Sequence, residues 1–276
     1  MLQISSPIFA AGVRTLIGGL VLTCYSFGTK KQGFVNKKDL WVLFQIAIFN
    51  VVFSAIFKNL ALKNMTSIKA GFFGNLDPFM AALFAYAIFS EKLTKRRWFG
   101  MFVAFSGALV YLFSSSPTEK AIGEIAFISL PELSIIFALA SARLGWFKIQ
   151  YLVRDRYFEP TFIVGVSMAS GGLLTLLLSF FLESTPRILN FNLFALYMSY
   201  IVLSSNIIGY VLYAYLHKIH SGTLIALLGF SQPLFVALYG IVFLKEPITW
   251  LYFISTILVF IGVGIFYKDE LNRLKK

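Results

Sequence analysis

The sequence predicts an all-α integral membrane protein, a multi-span helical bundle made of two inverted-topology repeats. Three observations carry that prediction. Of the 276 residues 58% are hydrophobic and only 13% charged, with a mean hydropathy of +0.80. A soluble domain carries about 25% charged residues, so this chain has too little polar surface to cover itself in water. Apolar stretches long enough for a bilayer core, about 20 residues each, recur along the chain with short loops between them. Finally, two segments of the chain match each other without a gap.

Nine apolar stretches are read as spans. The first, 7–27, is interrupted by Arg14 and has no basic leader, so it is not a cleavable signal peptide. The second, 40–60, follows a Lys-rich loop. The third, 67–89, contains Asp77-Pro78, and a proline there frees a carbonyl one turn back and can kink the helix. A basic loop leads into 98–113, which ends at the turn-like Ser114-Ser115-Ser116-Pro117. The fifth, 124–150, carries Pro131-Glu132 and approaches its end at Arg143 and Lys148. The stretches 161–182 and 194–215 follow. The eighth, 223–244, contains Gln232-Pro233, and Lys245-Glu246-Pro247 turns the chain into 248–267.

A net charge of +12 would suggest nucleic acid if the chain were soluble, but its distribution is that of a membrane protein. Fifteen Lys and Arg fall in 28–39, 90–97, 151–160, at Lys218 and in the tail, against four (Lys63, Lys120, Arg187, Lys245) in the opposite loops. This bias places the C-terminus in the cytoplasm and the chain in the cytoplasmic (inner) membrane as a multi-pass protein. The bilayer is then its partner, and nucleic acid is not. Cys24 stands alone, which argues against an internal disulfide and a Cys-ligated metal. With nine spans the N-terminus falls outside. The expectation is that one upstream helix is absent, with a misassigned start codon favoured over a real truncation.

At a separation of 155 positions, 61–112 lies over 216–267. Lys63 meets Lys218, Gly74 meets Gly229, Pro78 meets Pro233, Glu91 meets Glu246, Thr94 meets Thr249 and Gly107 meets Gly262. Glu91-Lys92-Leu93-Thr94 belongs to a cytoplasmic loop and Glu246-Pro247-Ile248-Thr249 to an outer one, so the halves cross the membrane in opposite senses. Such repeats are common in secondary transporters, where exchanging the conformations of the halves converts an inward-open into an outward-open state. The boundaries expected are 1–115 for the first repeat, with four spans, and 116–276 for the second, with five.

Ala61-Leu62-Lys63-Asn64-Met65-Thr66-Ser67, Asp77-Pro78 and Glu91-Lys92-Leu93-Thr94 in the first half resemble the EamA branch of the drug/metabolite transporter superfamily. Tyr213-Ala214-Tyr215-Leu216, Ser221-Gly222-Thr223, Gln232-Pro233 and Glu246-Pro247-Ile248-Thr249 in the second resemble it more closely. Ser6-Pro7 followed by Arg14 resembles the start of that family's second helix. The resemblance covers essentially the whole chain and implies ten helices with both ends cytoplasmic. Its motifs say little about substrate.

An ionisable group inside a span costs roughly 2.5–3.5 kcal/mol on insertion scales, so it normally faces a cavity or a partner. Arg14 would attract a substrate carboxylate or phosphate; its plainer reading is a packing ion pair. Asp77, beside Pro78, would bind a cationic moiety or a coupling proton, with a salt bridge to Arg14, Lys58 or Lys69 as the plainer account. Lys58 is a further substrate-binding candidate that could instead snorkel to the headgroups. Gln232 and Pro233 form the symmetry mate of Asp77 and Pro78, with a neutral amide. Asn75, Trp146, Asn206 and Tyr213 are helix-borne groups able to bond or stack on a substrate, although each alone is more often interhelical glue. His217 and His220 lack a third ligand and make a poor metal site.

No phosphate-binding Gly-x-x-x-x-Gly-Lys-Ser/Thr stretch occurs. The expected function is secondary active transport of a small polar metabolite by alternating access, with no cofactor, no metal and no catalytic residue. The excess of cationic candidates hints at an anionic or zwitterionic substrate. The Phe, Lys and Ile excess suggests an AT-rich genome, as in reduced intracellular bacteria. There the resemblance allows a nutrient importer, with an amino acid derivative such as S-adenosylmethionine as one candidate. The rivals are an intramembrane lipid-modifying enzyme and an inactive remnant of a transporter. A homodimer stays open.

Overall fold

In lipid every backbone N–H and C=O must pair within its own segment, which for an apolar run of 20 residues means a helix. The computed structural model describes residues 5–29, 36–63, 76–89, 93–114, 130–183, 188–231, 235 and 250–274. Among these the only extended pairing is an isolated bridge between Ser5 and Ile188. The helices are α1 (Pro7–Gly28), α2 (Lys37–Ile46), α3 (Ser54–Lys63), α4 (Asp77–Phe89), α5 (Lys95–Ser114), α6 (Leu130–Gln150), α7 (Pro160–Leu182), α8 (Phe191–Ile201), α9 (Tyr210–Ile219), α10 (Gly222–Leu228) and α11 (Trp250–Leu274). α2 continues into α3 through a π-helical segment, Ala47–Phe53, and α8 into α9 through another, Val202–Gly209. Pro7–Gly28, Lys37–Leu62, Pro160–Leu182 and Phe191–Ile219 are long and apolar enough to cross a membrane. Each of the nine expected spans is helical over nearly all of its described residues.

The chain forms two compact units, Met1–Lys63 with Phe137–His220 and Asn64–Ile136 with Ser221–Lys276. In the first, α1 and α7 pack directly on each other. Gly12 stands against Leu176, Gly19 against Ala169 and Thr23 against Gly165, so numbers rise along one helix as they fall along the other. The pair is antiparallel, and glycine permits the approach: a Cβ on Gly19 would lie 2.2 Å from the backbone nitrogen of Ala169. The same two helices match in sequence at a separation of 153. Pro7 falls on Pro160, Phe9 on Phe162, Gly12 on Gly165, Gly18 on Gly171, Gly19 on Gly172 and Ser26 on Ser179. The two π segments begin 155 positions apart, at Ala47 and Val202, and the helices leading into them are each preceded by an asparagine, Asn36 and Asn190.

Hydrogen bonds tie the ends of this unit. Glu183, just past the end of α7, accepts from the N–H groups of Ile8 and Phe9 at 2.8 and 2.9 Å. A carboxylate there satisfies orphan donors of the first turn of α1 and complements its dipole. At the opposite end Arg156 donates to Asp39 at 3.0 Å. Its core gathers Leu22, Leu43, Ile46, Ile149, Leu152 and Ile163.

In the second unit α5 and α11 are likewise antiparallel: Gly100 meets Gly262 and Phe266, and Gly107 meets Ser255 and Leu258. Ser255 Oγ donates to the Gly107 carbonyl at 2.6 Å. Met101, Leu227, Phe230, Val259 and Phe266 form the core, with the Arg97 guanidinium 5.2 Å over the Phe266 ring. Large apolar side chains also face outward on both units, among them Phe99, Phe181, Leu196 and Phe260.

Candidate functional site

The first unit contains a cavity of about 280 Å³. Its wall comes from Ser5 and the first half of α1 (Pro7 to Thr15), from the first π segment and α3 (Asn50 to Leu62), and from Ile201 and Tyr210 flanking the second π segment. The first π segment therefore borders it, and so do the two residues that flank the second. In an i→i+5 turn the hydrogen-bond ladder is locally displaced, and such turns are frequent at functional sites. Ser141 Oγ donates to the Phe49 carbonyl within the first π segment at 2.6 Å.

Arg14 and Lys58, two of the residues expected from sequence, both line this cavity. Arg14 sits two turns into α1, half-buried, and Lys58 is exposed on α3. Each lies in the other's electrostatic field. The remaining polar wall is neutral: Ser5, Thr15, Asn50, Ser54, Asn59 and Tyr210. Asn59 donates its amide N–H to the Ala55 carbonyl at 2.8 Å, which leaves its Oδ1 as an acceptor. Among the described residues no Asp or Glu lines the cavity.

Trp146 and Tyr213 come together, but behind the wall and not on it. Their ring centroids are 4.4 Å apart, and Trp146 also lies 5.5 Å from Tyr210. Tyr210 thus belongs both to the cavity and to the aromatic cluster. Trp146 stacks on His217 at 5.4 Å with the rings 8° apart, and His217 Nδ1 lies 3.3 Å from Gln150 Oε1, to which its N–H donates. Arg143 Nη1 donates to the Tyr213 hydroxyl at 2.9 Å. Arg143, near the end of its span in the sequence, is 7% exposed and packed into this cluster.

Asn206 is fully buried in the second π segment, its Cβ packed against Gly18 below the cavity, and neither side-chain polar atom has a partner among the described residues. Asp77 and Pro78 are the first two residues of α4, in the second unit. A proline near a helix start is well tolerated because its missing N–H is not needed there, so among the described residues Pro78 opens a helix. Asn75, Gln232 and Pro233 lie outside the described residues. No three of His, Cys, Asp and Glu come together in a metal-holding group among the described residues. Sequence reasoning did not single out Tyr210, Ser54 or Asn59. Only their spacing along helices that also carry Asn50, Lys58 and Tyr213 could have suggested them.

Similar proteins agree in kind. A transporter named for S-adenosylmethionine and S-adenosylhomocysteine in Chlamydia muridarum is 25% identical over 98% of this chain and 85% of its own length. An uncharacterized transporter of Methanothermobacter thermautotrophicus is 24% identical over 90% of this chain and 70% of its own. Protein PecM of Dickeya dadantii is 21% identical, covering 100% of this chain and 88% of that one. A solved crystal structure superposes with a TM-score of 0.79 across 98% of this chain and 90% of its own, at 15% identity, and shares the fold. The first two names point to transport and not to catalysis. Residues 1–113 and 130–268 both match one family, and with nearly the whole chain so accounted for, this protein belongs to the EamA-like transporter family.

Proposed function

We propose that this chain is a secondary transporter that carries a small metabolite bearing a carboxylate across the cytoplasmic membrane by alternating access. The observation that supports this most directly is the pair Arg14 and Lys58 on the wall of one cavity with no acid among its described lining residues. A guanidinium matches a carboxylate with two parallel N–H donors, and an ammonium adds a point charge beside it. Tyr210, held by Trp146 behind it, supplies a flat face for the remainder of the substrate. Asp77 is the proposed site for a cationic moiety or a coupling proton. The two inverted repeats, 1–115 and 116–276, are the proposed exchanging halves.

The relatives' names support, as the substrate, an amino acid derivative of the S-adenosylmethionine or S-adenosylhomocysteine kind. Uptake of the radiolabelled pair by a heterologous host tests this. Wild type is expected to accumulate label, and Arg14→Ala and Asp77→Asn each to lose most of it, at least about tenfold, as loss of one charge-assisted contact would give. Undiminished uptake in both variants at equal membrane abundance would remove these residues from the path.

A further inference from the structure

The cavity carries charge of one sign. Arg14 and Lys58 face it, and among the described residues every other polar group on its wall is neutral and neither cation makes an ion pair. Each repels the other, so an anionic group placed between them relieves a repulsion as well as gaining two attractions. A cation entering the same space meets two full charges of its own sign, where the low dielectric of a membrane interior strengthens the effect. The opposing influence is the Tyr210 ring, whose face attracts cations. That attraction needs close contact with one ring face, whereas two full charges act across the whole cavity.

The two molecules in the relatives' names differ in this property. S-adenosylmethionine has a sulfonium, a fixed positive charge that its thioether counterpart S-adenosylhomocysteine lacks; both keep the amino acid carboxylate. Resting on the transporter reading above, we propose that the cavity selects carboxylate-bearing metabolites without a fixed positive charge, and that Lys58 sets this charge selectivity while Arg14 holds the carboxylate. The thioether is then the preferred cargo of the two. Its ammonium is met by the neutral acceptors Asn59 Oδ1 and Ser54 Oγ.

The test is competition in proteoliposomes containing the purified full chain, with uptake of labelled S-adenosylhomocysteine inhibited by unlabelled thioether or sulfonium. Half-inhibition is expected to need about tenfold more sulfonium than thioether. In Lys58→Gln the ratio is expected to fall to within about threefold, while Lys58→Arg, which keeps the charge, preserves it. A sulfonium that competes as well as or better than the thioether in wild type overturns the selectivity and leaves the transporter reading standing. If wild type takes up neither molecule, the proposed substrate and this inference fall together. An unchanged ratio in Lys58→Gln overturns the assignment to that residue.

Discussion

Arg143 and Tyr213 show how one aromatic side chain holds a buried cation in two ways. The guanidinium donates to the Tyr213 hydroxyl at 2.9 Å and lies 5.9 Å from the face of the same ring, so one side chain supplies both a hydrogen bond and a π surface. Tyr213→Phe keeps the ring and removes the hydroxyl. It is expected to lower stability by about 1.5–3 kcal/mol, read as a fall in thermal unfolding temperature in detergent, because a hydrogen bond to a charged group is worth about that much. Arg14 and Lys58 were legible in the sequence for a related reason. A charge within an apolar run has to face a cavity or a partner, and both face one. Arg143 was not, since its position near a span end fixes its depth but not the direction in which it points. Tyr210 was hidden among other aromatics, and nothing in its immediate neighbours marks it as the residue shared by cavity and cluster.

The helix pairs owe their geometry to where side chains are missing. α1 and α7 can approach because Gly19 and Gly172 each face backbone, with a Cβ on Gly172 falling 2.4 Å from the nitrogen of Leu16. In lipid, where apolar surface gains little by associating, such close backbone approach is a main source of helix–helix attraction. Gly19→Ala is therefore expected to destabilise by about 1–3 kcal/mol through overpacking. Gly28→Ala, at a position where an added Cβ meets nothing within 4 Å, is expected to change little. Comparing unfolding midpoints of the two variants in detergent separates close packing from a general loss of glycine. The sequence revealed the repeat between 61–112 and 216–267 but not that between α1 and α7. The separation there is 153 and not 155, because the connections between the helices differ in length, and a single sliding offset passes over it. The π segments left no composition signal, since Val, Ile, Leu and Asn suit an α-helix in a membrane equally well.

For the whole molecule, sidedness is the property on which the transport cycle depends. The charge bias of fifteen against four assigns 28–39 and 151–160 to one face and the loop with Arg187 to the other. The ion pair between Asp39 and Arg156 and the bonds from Ile8 and Phe9 to Glu183 join loops assigned to the same face in each case. Neither contact entered the count. On this assignment the cavity, which runs from Ser5 and Leu62 down to Thr15 and Asn50, occupies the outer half of its unit. The sign of the assignment rests on the positive-inside preference alone. Single cysteines introduced in a Cys24→Ser background decide it. Thr29 follows α1, Tyr157 precedes α7 and is 83% exposed, and Leu189 follows α7 and is 68% exposed. An impermeant maleimide added to intact cells is expected to label Leu189→Cys and to spare Thr29→Cys and Tyr157→Cys, which react only after the membrane is opened. The reverse pattern would turn the molecule over, place the cavity on the cytoplasmic half and leave the inverted repeat intact. Labelling of Thr29→Cys and Leu189→Cys from the same face would mean that α1 and α7 do not cross the membrane in opposite senses, and alternating access by exchange of two inverted halves would lose its physical basis.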